Sequence, residues 1–301
     1  VGNLAARRFT KPLSEMMEAA DALAEGDLSV RVSVQGNGEF RHFAHSFNRM
    51  AEALETSDRQ RRELLADVAH ELRTPLSVIQ GNLEGLRDGV YEATPEHLDL
   101  VVDETRKLGR LVDDLRLLTL AEAGQLTLDV QILDVPQLLA DVRVSFAHQS
   151  SEAGIGLSVD TPDRLPPLEA DPQRIGQVLT NLVTNALRHT PMGGQVTLGA
   201  ELTENGQGIQ ISVEDTGEGI PHEDLPRIFD RFWRGDPARS HASGAGSGLG
   251  LAIAKSLIET HGGRIRAMSD GVPGRGTTIS CILPLPPSTA TTLESPSLTR
   301  N

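Results

Sequence analysis

The spacing of apolar residues changes character once along this chain, and that change sets what it can fold into. Up to about residue 120, apolar residues recur every three or four positions, the repeat of amphipathic helices. Past "AEAGQ" (121–125) they break into short alternating runs divided by glycines, with single helices between them. A chain of 301 residues carrying both repeats has length for two or three domains and a sizeable core. The expected fold is multidomain: helical bundles first, then an α/β sandwich with helices on one side of a sheet.

The stretch "TKPLSEMMEAADALAEG" (10–26) predicts a helix with Leu13, Met16, Met17, Ala20, Leu23 and Ala24 on its stripe, ended by Gly26. "DLSVRVSVQGNGE" alternates Leu28, Val30 and Val32 and reads as an extended connector. A second helix is expected from Glu39, where Phe40, Phe43, Phe47, Met50 and Leu54 step by three and four. Two such helices cannot bury both stripes alone, which predicts a second copy and a parallel four-helix bundle. Helical spacing continues to about residue 88 and breaks at "DGVYEATPEH". Thr94 then suits an N-cap and Pro95 a first helical position, opening a return helix striped by Leu98, Val101, Leu108, Leu111, Leu115 and Leu118. A helical hairpin results.

Within its first arm, "LLADVAHELRTPLSVIQ" sets His70 apart. At about 100° per residue, Leu65, Val68, Leu72, Leu76, Ile79, Leu83 and Leu86 share one face and predict a buried stripe. His70 falls on the opposite face, Thr74 lies one turn on, and Glu71 and Arg73 flank them. Pro75 removes a donor and crowds the carbonyl of Glu71, so a weakened or bent helix is expected there. An exposed imidazole titrates near pH 6.5 and keeps a neutral, nucleophilic fraction at physiological pH. A neighbouring carboxylate can orient the ring and take its proton as the other nitrogen attacks. Taken alone, a His–Glu pair on a charged helix is more often simply solvated.

The charge of −14 argues against nucleic acid as a main partner. The one cysteine excludes an intrachain disulfide and a cysteine metal site, and its alternation with Ile279 and Leu283 makes Cys281 a core residue. No run is long and apolar enough to span a membrane. The chain opens at Val1 without methionine, and "LAARR" (4–8) suits either the cytoplasmic flank of a preceding span or an ordinary basic surface pair.

Beyond residue 125, strands are expected at "LTLDVQILDV" and "GIGLSVD", with a helix from Pro136 to about Glu152 between them. A long helix follows, capped by Asp171 with Pro172 in its first turn. "QVTLGAEL" and "GIQISVED" predict a hairpin, "HEDLPRIFDRFWR" a short helix, "GDPARSHASGAGSG" a mobile loop and "LGLAIAKSLIETHGG" a helix. Two closing strands precede an unstructured tail. Four segments suit one site. "NLVTNALRHT" places Asn181, Asn185, Arg188 and His189 near one stripe, and asparagine oxygens suit magnesium. "VEDTGEGI" leaves a strand at Asp215, whose carboxylate can accept from an exocyclic amine, while Gly217 and Gly219 admit a flat ligand. "GAGSGLGL" (244–251) runs into a helix N-terminus, which favours phosphate, and "GRGTT" supplies Gly274, Gly276 and Thr277. Neither a P-loop nor the protein-kinase HRD and DFG patterns occur.

The order of these segments resembles the cytoplasmic part of a membrane-bound sensor histidine kinase of a two-component system. "AHELRTPL" resembles the H-box and "NLVTNALRHT" the N-box. "DTGEGI", "GAGSGLGLAI" and "GRGTT" are similar to the three glycine boxes, and "IFDRFWR" to the F-box. Residues 10–55 look like a HAMP linker, with Pro12 and Glu39 in place. The resemblance implies an all-α parallel coiled-coil HAMP (1–56) and an antiparallel four-helix-bundle dimerisation and phosphotransfer hairpin (57–122). A Bergerat-type α/β sandwich ATP-binding domain (123–286) and a disordered tail (287–301) would follow. It implies His70 as phosphoacceptor, Glu71 as base, and Thr74 as the residue positioning water in a phosphatase reaction. Asn185 would hold Mg²⁺, Asn181 would sit near the phosphates and Asp215 would read the adenine amine of ATP. Gly217, Gly219, Ile220, Gly246, Ser247, Gly248, Leu249, Gly250 and Thr277 would line the nucleotide, with Arg231 and Arg234 on phosphate. Arg188 and His189 stand where the family usually has lysine and tyrosine, and residues 236–246 would form the ATP lid. The implied protein is a homodimer that passes phosphate to a cytoplasmic response regulator receiver domain. Its parent would be anchored by a segment before Val1, with this portion on the cytoplasmic face of the bacterial inner membrane. Two other readings stay open: an ATPase of the gyrase and MutL type, and a non-enzymatic dimeric scaffold with a relic ATP site.

Overall fold

The computed structural model describes residues 2–34, 38–162, 164–235 and 247–286, with side chains from Leu13 onward. The chain forms two compact bodies, Val1–Thr74 and Pro75–Asn301. The first holds α1 (Gly2–Ala24), an extended connector and the leading part of α2 (Gly38–Arg87). Met16, Ala19, Val32, Ala44, Phe47 and Ala51 make its core, with Leu23, Val30 and Phe40 packed against them. The connector is strapped down by polar contacts. Asn48 accepts from the Val32 amide at 2.8 Å and donates to its carbonyl at 2.9 Å, and Arg31 pairs with Glu55 at 2.5 Å.

The expected stripes are only half buried. Phe47 turns inward, while Leu13, Met17, Phe43, Met50 and Leu54 stay exposed. A helix meeting one neighbour can cover only part of a wide apolar face. Along α2, Val68, Leu72, Ile79 and Leu86 are half-buried, and Leu65, Leu76 and Leu83 are exposed in the single chain. Pro75 does not interrupt α2, which runs continuously through it. A proline removes one bond from the ladder, and a helix this long is held on both sides of the gap.

In the second body the turn after α2 is closed by Tyr91. Its ring lies over Gly85, where a β-carbon would strike it, and stacks on His97 with centroids 5.1 Å apart. Thr94 caps α3 (Pro95–Glu122), accepting from the His97 amide at 3.4 Å, as its position predicted. The lobe follows as β1 (Gln131–Leu133), α4 (Val135–Glu152), β2 (Gly156–Asp160), β3 (Leu168–Ala170), α5 (Pro172–His189), β4 (Gln195–Leu202) and β5 (Gly208–Asp215). It closes with α6 (Gly250–Thr260), β6 (Arg264–Ser269) and β7 (Thr277–Pro284). The main sheet has the order β2-β4-β5-β7-β6, with only the β2–β4 pair parallel, and β1 pairs with β3 separately.

The three lobe helices pack on this sheet, and α3 packs on α6. Alternation decides which strand residues meet the helices. Val196, Leu198 and Ala200 of β4, Ile209, Ile211 and Val213 of β5, and Ile279, Cys281 and Leu283 of β7 are all buried. Burial pushes the Cys281 thiol up to about 12, as suits a core residue. Two elements differ from expectation. The strand expected in "LTLDVQILDV" is confined to Gln131–Leu133. "HEDLPRIFDRFWR" forms successive turns, with Arg227 donating to Asp224, Asp230 to Arg227 and Trp233 to Asp230. Pro226 lacks an amide hydrogen and Phe232 has φ of 56°, so the longer ladder cannot form. The expected mobile loop and tail fall on residues 236–246 and 287–301, outside the described residues.

Asp114 sits on the inward side of α3, between Leu111 and Leu118. Burial raises its pKa to about 6; Asp113 adds to the rise and Arg110 opposes it. The folded chain therefore holds this proton while the unfolded chain has lost it. Stability is highest below the unfolded pKa of 3.8 and falls as pH rises to about 6. The whole shift corresponds to about 3 kcal/mol, which solvent screening reduces to about 1–2 kcal/mol. Asp114→Asn should therefore raise the urea midpoint at pH 7.5 and leave it unchanged at pH 3.5.

Candidate active site

In the first body His70 stands on the exposed face of α2, as its helical position predicted. Glu71 beside it is half-buried. Thr74, one turn on, donates its hydroxyl back to the His70 carbonyl at 3.4 Å. Pro75, within the same helix, brings no amide hydrogen to its ladder. An imidazole so placed meets reactants from solvent, with a carboxylate next to it in sequence.

The second body holds a cradle centred on Asp215. Alternation along β5 puts this carboxylate on the same face as Ile209, Ile211 and Val213, and it is 8% exposed. Its Oδ1 accepts from the Gly217 amide at 2.8 Å and the Thr277 amide at 3.2 Å. Oδ2 accepts nothing from the described residues and is left for a donor such as an exocyclic amine. Burial raises the pKa of Asp215, opposed by these two amides and by His189. Gly276 has φ of 67°, and a β-carbon there would run into the Asp215 carbonyl, so only glycine lets β7 approach. Gly274 donates to the Gly217 carbonyl at 2.8 Å. The Ser269 hydroxyl accepts from the Ile220 amide at 2.9 Å and donates to the Gly276 carbonyl at 2.8 Å. Gly217, Gly219, Ile220 and Thr277 are thus stitched into one wall.

The opposite wall comes from α5 and the start of α6. Asn185 is half-buried, and its side chain makes no hydrogen bond to the described residues. Asn181, expected beside phosphate, donates to the Gly250 carbonyl at 3.1 Å. Arg188 and His189 are exposed at the end of α5, and His189 Nδ1 pairs with Glu218 Oε1 at 2.9 Å. Ser247 and Gly248 are half-buried and lead into Gly250, the first residue of α6, where free amides favour anions. Leu249 is wholly buried, so its side chain serves the core and not a ligand. Gly246 and the other lid residues lie outside the described residues. Arg231, expected on phosphate, forms an ion pair with Glu122 at the end of α3, and Arg234 is exposed.

No group of three His, Cys, Asp or Glu among the described residues could hold a metal by itself. The Asn185 side chain, with no hydrogen bond to the described residues, offers an oxygen that would suit magnesium, a hard ion that keeps most of its waters. Sequence reading missed Glu218, Ser269 and Glu122. A glutamate between two glycines signalled nothing beyond the turn, and the other two act on residues far away in sequence.

The family described as "Histidine kinase-, DNA gyrase B-, and HSP90-like ATPase" matches residues 170–287. The "His Kinase A (phospho-acceptor) domain" matches 60–124 and the "HAMP domain" 4–56. The signal transduction histidine-protein kinase BaeS of Escherichia coli is 35% identical over 94% of this chain and 59% of its own length. Sensor histidine kinase WalK of Bacillus subtilis is 39% identical over 76% of this chain and 38% of its own. The chain thus spans about three fifths or less of these curated relatives. Among solved structures, full-length ShkA in complex with AMPPNP aligns with a TM-score of 0.55 at 29% identity, covering 74% of this chain and 46% of that one. Histidine kinase ThkA in complex with response regulator protein TrrA aligns at 0.58 and 26%, covering 78% and 67%.

With Oδ1 engaged by two amides, an amine bound at Oδ2 would meet the charge of Asp215. Asp215→Asn should weaken adenine nucleotide binding by ten- to a hundredfold, the loss of a charge-assisted hydrogen bond of about 1.5–3 kcal/mol. Calorimetric titration of both proteins checks this.

Proposed function

Because the chain belongs to the sensor histidine kinases of two-component systems, we propose that it moves the γ-phosphoryl group of ATP onto His70 and then to an aspartate of a response regulator receiver domain. One observation carries this reading: an exposed imidazole on α2 is combined in one chain with a buried carboxylate whose single free oxygen suits an adenine amine.

Asp215 would orient the base, and the turn from Ser247 to Gly250 would take phosphate on its amides. Magnesium, held by Asn185 and phosphate oxygens, would neutralise charge on the phosphate chain. A neutral nitrogen of His70 attacks the γ-phosphorus. The new N–P bond forms as the bond to the β-bridging oxygen breaks, and ADP departs. Glu71 takes the proton from the other ring nitrogen. Rate enhancement rests on positioning and charge neutralisation. In the reverse sense, Thr74 would orient water for hydrolysis of the phosphorylated partner. The partner assignment is supported by the complex of ThkA with its response regulator.

The domains divide as HAMP linker (1–56), dimerisation and phosphotransfer hairpin (57–122) and ATP-binding lobe (123–286). A homodimer is supported by the apolar residues exposed along the hairpin, among them Leu65, Leu76, Leu83, Leu98 and Val112. No helix among the described residues is long and apolar enough to cross a membrane. The HAMP segment supports a parent anchored before Val1, with this portion on the cytoplasmic side of the bacterial inner membrane.

With ATP labelled at the γ-phosphate, the chain should acquire acid-labile, alkali-stable label that is absent from His70→Gln. Label surviving in that variant would sink the assignment. Pro75→Ala adds an amide hydrogen to the α2 ladder one turn beyond the proposed phosphoacceptor. It should shift the ratio of kinase to phosphatase rates; two unaltered rates would show that the proline has no such role.

A further inference from the structure

Helices α5 and α6 are laced together at two points. At one, Asn181 Nδ2 donates to the Gly250 carbonyl at 3.1 Å. At the other, the amide of Asp171 donates to His261 Nε2 at 3.1 Å. The first residue of each pair lies on or before α5, and its partner on or after α6, in reversed order, so the helices run antiparallel. Asp171 and Asn181 are about 15 Å apart along α5, and Gly250 and His261 about 16 Å apart along α6, at 1.5 Å per residue. The two contacts are therefore matched rungs. His261 Nδ1 lies 2.7 Å from the Leu257 carbonyl, which can only accept. That places the proton on Nδ1 and leaves Nε2 as the acceptor that Asp171 needs. Asp171 is itself buried and fully engaged: Oδ1 accepts from the amides of Gln173 and Arg174, and Oδ2 from Asp129.

We propose that His261 is a positioning residue for nucleotide binding: in its Nδ1–H tautomer it sets the axial register of α5 against α6. That register decides where Asn185, one turn beyond Asn181, stands relative to the phosphate-binding turn that opens α6. The inference rests on the nucleotide reading above, and it separates the phosphate side of the site from the base side. Asp215 is carried by β5 and held by the amides of Gly217 and Thr277; α5 meets this side only at its far end, where the Glu218 amide donates to the His189 carbonyl at 3.3 Å, so the base side follows the register less closely than Asn185 does.

Two substitutions divide the imidazole's bonds. In His261→Asn the amide nitrogen can keep the bond to Leu257 but cannot reach Asp171. In His261→Gln the amide oxygen can still accept from Asp171. Calorimetry with Mg²⁺–AMPPNP and with adenosine, on the whole chain, reads the result. His261→Asn should weaken Mg²⁺–AMPPNP about tenfold, the worth of one lost hydrogen bond, and adenosine less than about twofold. His261→Gln should bind both within about twofold of the parent chain. Nitrogen-15 spectra of the parent should show an unprotonated Nε2 on His261 at pH 7.5. Equal weakening of both ligands in His261→Asn, parent-like binding by it, or failure of glutamine to rescue overturns the proposal. So does a protonated Nε2. If the parent binds no nucleotide, the functional reading fails instead, and the spectrum still decides the tautomer. A variant that does not fold is recognised by loss of its amide dispersion; the glutamine variant and the parent spectrum then carry the decision.

Discussion

A carboxylate taken out of water must be hydrogen-bonded, and the lobe is arranged around that demand. Asp215 lies on the inward face of a central strand, where alternation would otherwise place an isoleucine or valine. Its oxygen draws the amides of Gly217 and Thr277 to itself, which brings two glycine segments from distant parts of the chain against one strand end. The bare backbone at Gly276 lets β7 come close enough to donate. Only one carboxylate oxygen is consumed. The other faces no donor among the described residues, so the interaction that holds the cradle together also leaves a valence that the proposed ligand would satisfy.

His70 follows the opposite rule. It sits on the outer face of a helix, open to solvent, as the proposed phosphoacceptor would have to be. The buried carboxylate and the exposed imidazole fall in separate bodies of the chain.

How far the residues reveal this depends on the range over which each effect acts. The N-cap at Thr94, the capped start of α5 at Asp171 and the inward turn of Cys281 are governed by neighbours within a few positions, and all three read directly from the chain. The outward position of His70 likewise needed only the helical repeat. Pro75, expected to weaken or bend α2, lies inside a helix that continues on both sides of it. "HEDLPRIFDRFWR" misled: Pro226 and the left-handed backbone at Phe232 outweigh an apparent helical spacing. The bonds of Asn181 to Gly250, Arg231 to Glu122 and Asp171 to His261 join positions that no spacing rule connects. Motifs named the chemical groups of the site; only coordinates told which of them were already engaged.

Trp233 is the only indole in the chain, and it lies in the run of turns that carries Arg231 and backs onto Gly248. It is half-buried, so its emission is sensitive to small changes in local polarity. The protein thus carries its own optical reporter beside the glycine turn that opens α6, free of background from any second tryptophan.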